Sequence, residues 1–391
     1  MHYMKRLFKK IRFLETFLTV VIIMGITTVL FLYTSGYRLN KGKEKPLDLS
    51  KTGMISAKSI PDGASVYLDG KITTATNDTI PGVKPGIHNL RIVKKGFVEW
   101  QKDIEVFEQL VTDMTAVLIS QSPRLEPLTN TGAKFPAISH TLNKLAYFSN
   151  DDEKPGIWII PLSGNNALNL FRSSSTIAIQ DTKYTKYSEG KSIGWSPDEK
   201  QLLMEGSNSW YLINLDTNTA QTITSPETTR QLWAEILTKK RADLIDKLEL
   251  PENIKQLALS PKTVWSPDDK KFLYTVQNGG QLEYKIYNME KPLPVGEKSE
   301  TLAFTTNSND RQPKISWYSD SFHLVMVEGD VEKDQKGTIS LIRIDGSNKI
   351  EIYNNTLFSD TVYSVPGGDK VIIVTSYKSD GQTNLYTTAI R

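Results

Sequence analysis

The sequence contains no cysteine among its 391 residues. Disulfide bonds, thiol nucleophiles, cysteine-ligated zinc and the lipidated cysteine of a bacterial lipoprotein are therefore excluded. Phosphate-binding glycine loops and the G-x-S-x-G nucleophile motif are also missing. The four histidines lie far apart in the sequence and form no H-E-x-x-H zinc motif; they are His2, His88, His140 and His323. We therefore expect no catalytic, metal-binding or cofactor-binding residues, and the sequence identifies no ligand-binding residue.

A general excess of basic residues is missing as well. The net charge is +3, but residues 1–12 alone carry five basic residues and no acidic one. The rest of the chain has 42 basic and 44 acidic residues. Nucleic-acid binding depends on an excess of Lys and Arg to replace counterions on phosphates, so we exclude that function.

One long hydrophobic run follows the basic N-terminus. Residues 16–33 contain no charge and are long enough to cross a hydrocarbon core of about 30 Å as a helix. A cleaved signal peptide has a shorter apolar core and a small-x-small exit, which Thr34-x-Gly36 matches poorly. We predict an uncleaved anchor at 13–33, a basic cytoplasmic tail at 1–12, and residues 34–391 outside the cell membrane. Residues 34–50 are polar, without a hydrophobic period, and are interpreted as a stalk.

Residues 51–120 have the pattern of a small antiparallel β domain. A short alternating strand ends at Asp69-Gly70, a pair suited to a type I′ hairpin, and further alternating strands follow. Their sequences are GIHNLRIV, FVEWQKDIEV and DMTAVLIS. His88 lies in one of them without partners for chemistry, which favours a structural role, and Trp100 is expected to anchor the core.

This segment resembles the PEGA domain, a bacterial surface module named for a Pro-Glu-Gly-Ala motif. The motif is Pro61-Asp62-Gly63-Ala64 here, with Asp in place of Glu, and the resemblance extends over residues 53–119. It implies a non-catalytic, β-sandwich-like module, often found next to a membrane anchor.

Five copies of one pattern occupy residues 122–391. Each has a strand, a turn of the Ser-Pro-Asp type, a second strand and a further strand. The copies are AISHTLNKLAYFSN, IGWSPDEKQLLMEG, TVWSPDDKKFLYTV, ISWYSDSFHLVMVE and VYSVPGGDKVIIVT. Such units cannot bury both sheet faces until they stack, which predicts a β-propeller of five blades. Six blades would result if residues 171–190 or 252–262 contained a degenerate copy.

The copies WSPDEKQLL and WSPDDKKFL resemble the W-S-P-D-G-x-x-L signature of TolB-type and WD-repeat-like propellers. The resemblance covers residues 122–391. Glu199 and Asp269 stand where those families commonly have Gly, so we expect less tight turns there.

Aligned acidic and aromatic residues recur in the copies. Asp198, Asp268 and Asp320 share one register and could form a ring of ligands, but we expect each to accept hydrogen bonds from its own turn. The matching tryptophans are expected to pack blade against blade. These are Trp195, Trp265 and Trp317.

A helical segment interrupts the repeats at 226–249. Ser225 is the predicted N-cap, Pro226 takes the first helical position, and apolar residues follow at helical spacing. We expect an insertion packed on the propeller, in preference to a helix that docks a partner.

The last copy supplies only three strands. Earlier copies are expected to gain an outer strand from NALNLF, AQTITS and KIEIYN. The matching piece for the last copy, PRLEPLTN at 123–130, precedes the first copy. We expect it to pair with NLYTTAI and to close the ring.

These features predict a mainly β protein with a transmembrane helix, a PEGA-like spacer and a propeller. The expected function is binding or scaffolding in the bacterial cell envelope, with the bilayer and an unidentified envelope protein or glycan as partners. The alternative is a propeller enzyme, such as a glycoside hydrolase with paired carboxylates in the central funnel. The inner strands KSIGW, KTVWS and PKISW supply apolar and hydroxyl side chains, which favours binding.

Overall fold

The computed structural model describes residues 2–34, 37–40, 48–162, 175–377 and 381–391. The chain divides into two compact units. Unit 1 contains Met1–Lys94, Glu99–Leu118 and Pro294–Glu297. Unit 2 contains Lys95–Val98, Ile119–Leu293 and Lys298–Arg391.

Unit 1 begins with a long helix, α1 (His2–Thr34). Its segment Leu14–Thr34 has 21 residues and a mean hydropathy of 2.2, and no residue of its most apolar 18-residue stretch is buried. Its length and composition suit a membrane-crossing helix, and an N-terminal signal sequence shares these properties. The predicted polar stalk contains an antiparallel strand pair, β1 (Tyr37–Asn40) and β2 (Asp48–Lys51). Backbone pairing alone forms such a ladder, so it needs no hydrophobic period.

Two sheets follow in unit 1. Their strands are β3 (Gly53–Ile60), β4 (Ser65–Leu68), β5 (Lys71–Ala75), β6 (Asp78–Val83), β7 (Gly86–Val93), β8 (Trp100–Val106) and β9 (Val111–Val117). The sheet orders are β6-β3-β9 and β5-β4-β7-β8. The expectation of a wholly antiparallel domain is wrong at one pair, because β3 and β9 run parallel. The intervening strands β4, β5, β7 and β8 make the other sheet, and this crossover returns the chain in the same direction.

The predicted hairpin and core of this domain are confirmed. Asp69 and Gly70 have φ values of 50° and 79°, as a type I′ turn requires. Trp100 is only 1 % exposed and belongs to the core. His88 is structural: its Nδ1 lies 2.7 Å from the Asp69 carboxylate and its Nε2 lies 2.7 Å from the Lys84 carbonyl oxygen.

Unit 2 contains 20 strands in the described residues, which form five four-stranded antiparallel sheets. We call the sheets blades 1 to 5. Blade 1 is β11 (Lys134–Ile138), β12 (Lys144–Ser149), β13 (Gly156–Pro161) and β14 (Thr176–Gln180); it follows β10 (Leu125–Pro127). Blade 2 is β15 (Ser192–Trp195), β16 (Gln201–Glu205), β17 (Trp210–Asn214) and β18 (Thr219–Ile223).

The other blades follow a helical insertion of α2 (Pro226–Ile245) and α3 (Glu252–Leu259). Blade 3 is β19 (Val264–Trp265), β20 (Lys271–Asn278), β21 (Gln281–Asn288) and β22 (Glu300–Asn307). Blade 4 is β23 (Lys314–Trp317), β24 (His323–Glu328), β25 (Lys336–Arg343) and β26 (Ile350–Thr356), with α4 (Val331–Asp334) between β24 and β25. Blade 5 is β27 (Tyr363–Ser364), β28 (Lys370–Thr375), β29 (Asn384–Ala389) and β10.

The predicted closure of the ring is confirmed. β10 pairs with β29 in antiparallel register, with Leu125 opposite Thr388, Glu126 opposite Thr387 and Pro127 opposite Tyr386. The chain thus enters the propeller through the outer strand of its last blade. No exposed edge remains between the two ends of the repeat.

One outer strand lies elsewhere than expected. The fourth strand of blade 1 is Thr176–Gln180, whereas NALNLF, which was expected in that position, lies within 163–174, outside the described residues. Residues 252–259 are helical, and the described residues contain no sixth blade. Outer strands lack the repeated motif, so alignment of the copies could not locate this one.

The turns between the first two strands of each blade are equally tight. Each is closed by a backbone hydrogen bond of 2.8–3.1 Å that the last turn residue donates to the first. Five aligned residues have φ values of 56–61°: Leu142, Glu199, Asp269, Ser321 and Gly368. The expectation of looser turns at Glu199 and Asp269 is wrong, because the backbone keeps the left-handed conformation despite the side chain.

The aligned tryptophans join neighbouring blades, as predicted. Trp195 Nε1 donates to the Ala137 carbonyl oxygen of blade 1 at 2.8 Å. Trp317 Nε1 donates to Val264 of blade 3 at 2.9 Å. At Trp265 the acceptor is instead Ala258 of α3, at 2.9 Å. Between blades 2 and 3, α3 therefore occupies the position beside the indole. At Trp195 and Trp317 an inner strand of the neighbouring blade occupies that position.

Candidate functional site

A large cavity lies where the inner strands and turns of the five blades converge. Its volume is about 1080 Å³. The inner strands and adjoining residues contribute apolar and hydroxyl side chains, including Ile138, Val264, Ile315, Ser316, Val362 and Ser364. We call this cavity the funnel. Its size matches that of sites for small molecules or short chain segments.

Helix α2 forms one wall of the funnel. Leu232, Trp233, Ile236 and Leu237 line the cavity from this helix. Leu232 is 55 % exposed and Ile236 is 48 % exposed, and Val264 on the blade 3 side is 41 % exposed. Exposed apolar side chains that converge on a cavity are typical of a binding site, because a ligand would remove their surface from water.

The helix is held by its C-terminal end. Ile245 is its one fully buried residue, and it packs in a cluster with Ile254 and Ala258 of α3 and with Trp265. Ser225 and Pro226 take the predicted N-cap and first positions, although the Ser225 hydroxyl bonds to Thr228 Oγ1 at 2.7 Å rather than to the backbone. The insertion therefore packs on the propeller through the C-terminal end of α2 and borders the funnel through residues 232–241 of the same helix.

The charged side chains of the funnel are mostly engaged. Asp269 Oδ2 lies 3.1 Å from Lys240 Nζ. Asp198 accepts a hydrogen bond from Ser196 Oγ at 2.6 Å and another from the Lys200 backbone N–H at 3.2 Å. Among the described lining residues, these are the only two carboxylates.

Arg241 differs from the other charged groups of the funnel. Its guanidinium carbon lies 5.3 Å from the centre of the Trp265 ring, within the range of a cation–π contact. Burial lowers the pKa of Arg241, while the charge of Asp269 raises it. Within the part of the chain that the structure describes, no carboxylate lies within ion-pair distance of the guanidinium; Asp269 pairs with Lys240 and acts on Arg241 from farther away. Its N–H donors are therefore open to a ligand.

Arg241 was not singled out by the sequence, although a signal was present. Trp233, Leu237 and Arg241 follow one another at intervals of four residues, which places them on one face of a helix. A cation within an otherwise apolar stripe of a helix indicates that its surroundings differ from those of an ordinary surface arginine. The cavity that surrounds it depends on tertiary packing and could not be predicted.

The aligned aspartates act within their own turns, as predicted. Asp268 accepts from Ser266 Oγ at 2.5 Å, and Asp320 accepts from the Phe322 and His323 N–H groups at 2.8 and 2.9 Å. Only Asp198 of the three lines the funnel, so they form no ring of ligands there. Of the sequence's other candidates, His140, Trp265 and Trp317 line the funnel.

The environment of the Asp320 carboxylate predicts that the free energy of unfolding depends on pH. Burial raises the pKa of Asp320, but the interaction with His323, whose Nδ1 lies 2.6 Å away, and two backbone N–H groups lower it further, so the net shift is downward. Its stabilising contribution is therefore complete above the unfolded pKa of about 4 and is lost as pH falls through the lower folded value. We expect Asp320→Asn to cost about 2 kcal/mol at neutral pH and to flatten the acid limb of denaturant-measured stability.

The matched control is Asp243→Asn, on an exposed part of α2. It should leave both the stability and its acid limb unchanged. An acid limb that is the same in Asp320→Asn and in the unmodified protein would contradict the assignment.

Among the described residues, no group of three or more His, Asp or Glu side chains is placed to hold a metal ion.

A family model for the PEGA domain matches residues 52–121. The resemblance of this segment to the PEGA domain is thereby confirmed. No curated protein is significantly similar to the sequence as a whole.

Solved structures with a similar fold include two TolB proteins. TolB from Acinetobacter baumannii is 14 % identical, with a TM-score of 0.24; the match covers 77 % of this chain and spans 60 % of that one. A putative TolB from Agrobacterium tumefaciens is 15 % identical, with a TM-score of 0.25 and coverage of 69 % and 99 %. An oligogalacturonate lyase from Vibrio parahaemolyticus is 9 % identical, with a TM-score of 0.26 and coverage of 69 % and 97 %. Nothing about activity follows from these values, and the blade assignment depends on the strand pairing described above.

Proposed function

We propose that this chain is a membrane-anchored binding or scaffolding protein of the bacterial cell envelope. In this proposal α1 holds the chain in the cell membrane with its N-terminus in the cytoplasm, and the PEGA domain acts as a spacer. The propeller lies outside the membrane and binds an envelope protein or glycan in its funnel. The observation that carries the proposal is a cavity of about 1080 Å³ with exposed apolar side chains on two of its sides.

The chemistry of the funnel supports binding rather than hydrolysis. A glycoside hydrolase needs two carboxylates that flank the scissile bond, one of them free to donate a proton. The two lining carboxylates are instead occupied, Asp198 by its own turn and Asp269 by Lys240. The inner strands add side chains such as Val264, Ile315 and Ser316, which can contact a ligand but cannot transfer a proton at neutral pH.

The membrane part of the proposal follows from α1. Its apolar side chains are exposed along Leu14–Thr34, except for the half-buried Leu32. A helix of this length with no protein cover has its apolar surface removed from water by lipid, while its backbone hydrogen bonds stay internal.

The test is photo-crosslinking in intact cells with p-benzoylphenylalanine in place of Ile236. We expect this probe to capture an envelope component because the side chain is exposed inside the funnel. Val264→Trp fills the opposite wall and should reduce the capture by about tenfold. Val276→Trp is the matched control, since Val276 is also an exposed valine of blade 3 but does not line the funnel.

The same cells test the orientation and the absence of catalysis. Protease added outside should degrade the propeller, and protection would contradict the proposed location. The captured component should not be cleaved by the purified full-length protein. Turnover that disappears on substitution of Asp198 or Asp269 would contradict the binding role and favour the hydrolase alternative.

A further inference from the structure

The funnel contains one cation that makes no ion pair with any described carboxylate. Arg241 is half-buried, its guanidinium lies over the Trp265 ring, and no carboxylate among the described residues is within ion-pair distance of it. The planar guanidinium carries five N–H donors in a fixed fork and matches a carboxylate in a bidentate manner. Contact with an indole ring restricts the orientation of that fork, so less entropy is lost on binding.

The neighbourhood of this cation is apolar. Leu232 and Ile236 of α2 and Val264 of blade 3 are exposed within the same cavity. They stay in contact with water in the unliganded protein, which gives a favourable free energy for covering them with an apolar group. The funnel thus combines one available positive charge with apolar walls.

We infer that the funnel binds a ligand in which a carboxylate is joined to an apolar group. The carboxylate pairs with Arg241, and the apolar part lies against Leu232, Ile236 and Val264. The inference rests on the proposed function and adds the ligand class to it. Such a ligand is either the C-terminal end of a peptide with apolar last residues or a fatty acid.

Charge balance favours this class over a neutral glycan. Asp269 makes its close ion pair with Lys240 and acts on Arg241 only from farther away, so the Arg241 charge is compensated only in part. A neutral sugar would displace water from the guanidinium without supplying an anion. The loss of water from a cation without a paired anion has an unfavourable free energy. A carboxylate replaces that water by charge-assisted hydrogen bonds.

The experiment is isothermal titration calorimetry of the full-length protein in nanodiscs. The probes are acetyl-Leu-Leu-Leu with a free carboxylate, the same peptide as its C-terminal amide, hexanoate, hexanamide and the neutral sugar chitohexaose. At least one acid should bind about tenfold or more tightly than its amide. Arg241→Gln should abolish that difference, and Arg241→Lys should retain part of it.

Arg230→Gln is the matched control. Arg230 also lies on α2 and over an indole ring, that of Trp210, but it pairs with Glu227 and does not line the funnel. It should change acid binding by less than about twofold. Circular dichroism of each variant checks that the fold is retained.

The outcomes separate the ligand sources and the two proposals. Binding of the peptide acid alone identifies a peptide end, and binding of hexanoate alone identifies a fatty acid. Equal binding of acid and amide, no acid binding at millimolar concentration, tighter binding of chitohexaose, or an unchanged Arg241→Gln variant would overturn the inference. If photo-capture depends on Val264 but not on Arg241, the proposed function stands and the carboxylate assignment fails. If capture depends on neither, both fail.

Discussion

Deletion of residues 122–131 is expected to unfold the entire propeller rather than to loosen one blade. The segment supplies β10, which pairs with β29, and Glu126 Oε2 lies 2.8 Å from Lys370 Nζ. Thr129 Oγ1 accepts from the Leu385 N–H at 2.9 Å. At about 1 kcal/mol for each hydrogen bond, plus an opened edge, the loss approaches the 5–15 kcal/mol of a typical domain.

Hydrogen exchange of the full-length protein measures the effect blade by blade. We expect faster exchange in all five blades of the deletion variant, because each blade depends on its neighbours to bury both faces. Thr129→Val is a milder form that should cost about 1–2 kcal/mol. Thr222→Val in β18, an exposed outer-strand threonine, is the matched control and should cost much less. Faster exchange confined to blade 5 would show that closure is not essential.

Substitution of Lys271 by alanine is the second change with a large expected effect. The Lys271 side chain is fully buried, its Nζ lies 3.3 Å from Asp268 Oδ2 and 3.5 Å from Glu290 Oε1, and it stands over the Phe322 ring of blade 4. Removing one member of a buried ion pair leaves the other charge uncompensated, which costs about 3–5 kcal/mol. Asp268 loses its lysine partner, but Glu290 keeps Lys270 and both carboxylates are partly exposed, so we expect a loss near the lower end of that range.

Lys270→Ala provides a matched control for this prediction. Lys270 Nζ is also 3.5 Å from Glu290 Oε1, but its side chain is exposed. A pair on the surface contributes about 0–1 kcal/mol, so the two neighbouring lysines should differ severalfold in denaturant unfolding of the full-length protein. Similar losses for the two variants would show that burial of the lysine does not determine the effect.

The architecture could be predicted from the sequence because each blade repeats its own local chemistry. The Ser-Pro-Asp turn positions, the aligned Trp195 and Trp317 and the unpaired last copy were enough to predict five sheets and their closure. These signals are local, or they recur at a fixed register, so one chain contains several copies to compare.

Features without a repeated signal were missed or misplaced. The outer strand of blade 1 begins at Thr176, although β13 ends at Pro161, and α3 replaces an inner strand only at Trp265, where nothing in the alignment marks the substitution. The parallel pairing of β3 with β9 joins strands that begin 58 residues apart, with Gly53 at one start and Val111 at the other. The open guanidinium of Arg241 is a property of packed side chains and has no counterpart in the sequence pattern.

The closing strand has a mechanical consequence. Residues 123–130 join the propeller to the preceding part of the chain, and Leu125–Pro127 among them form the outer strand of blade 5. If α1 anchors the chain and the funnel holds a ligand, as proposed, tension along the chain between them loads the pairing of β10 with β29. The pairing that closes the ring would then also be a contact that bears mechanical load.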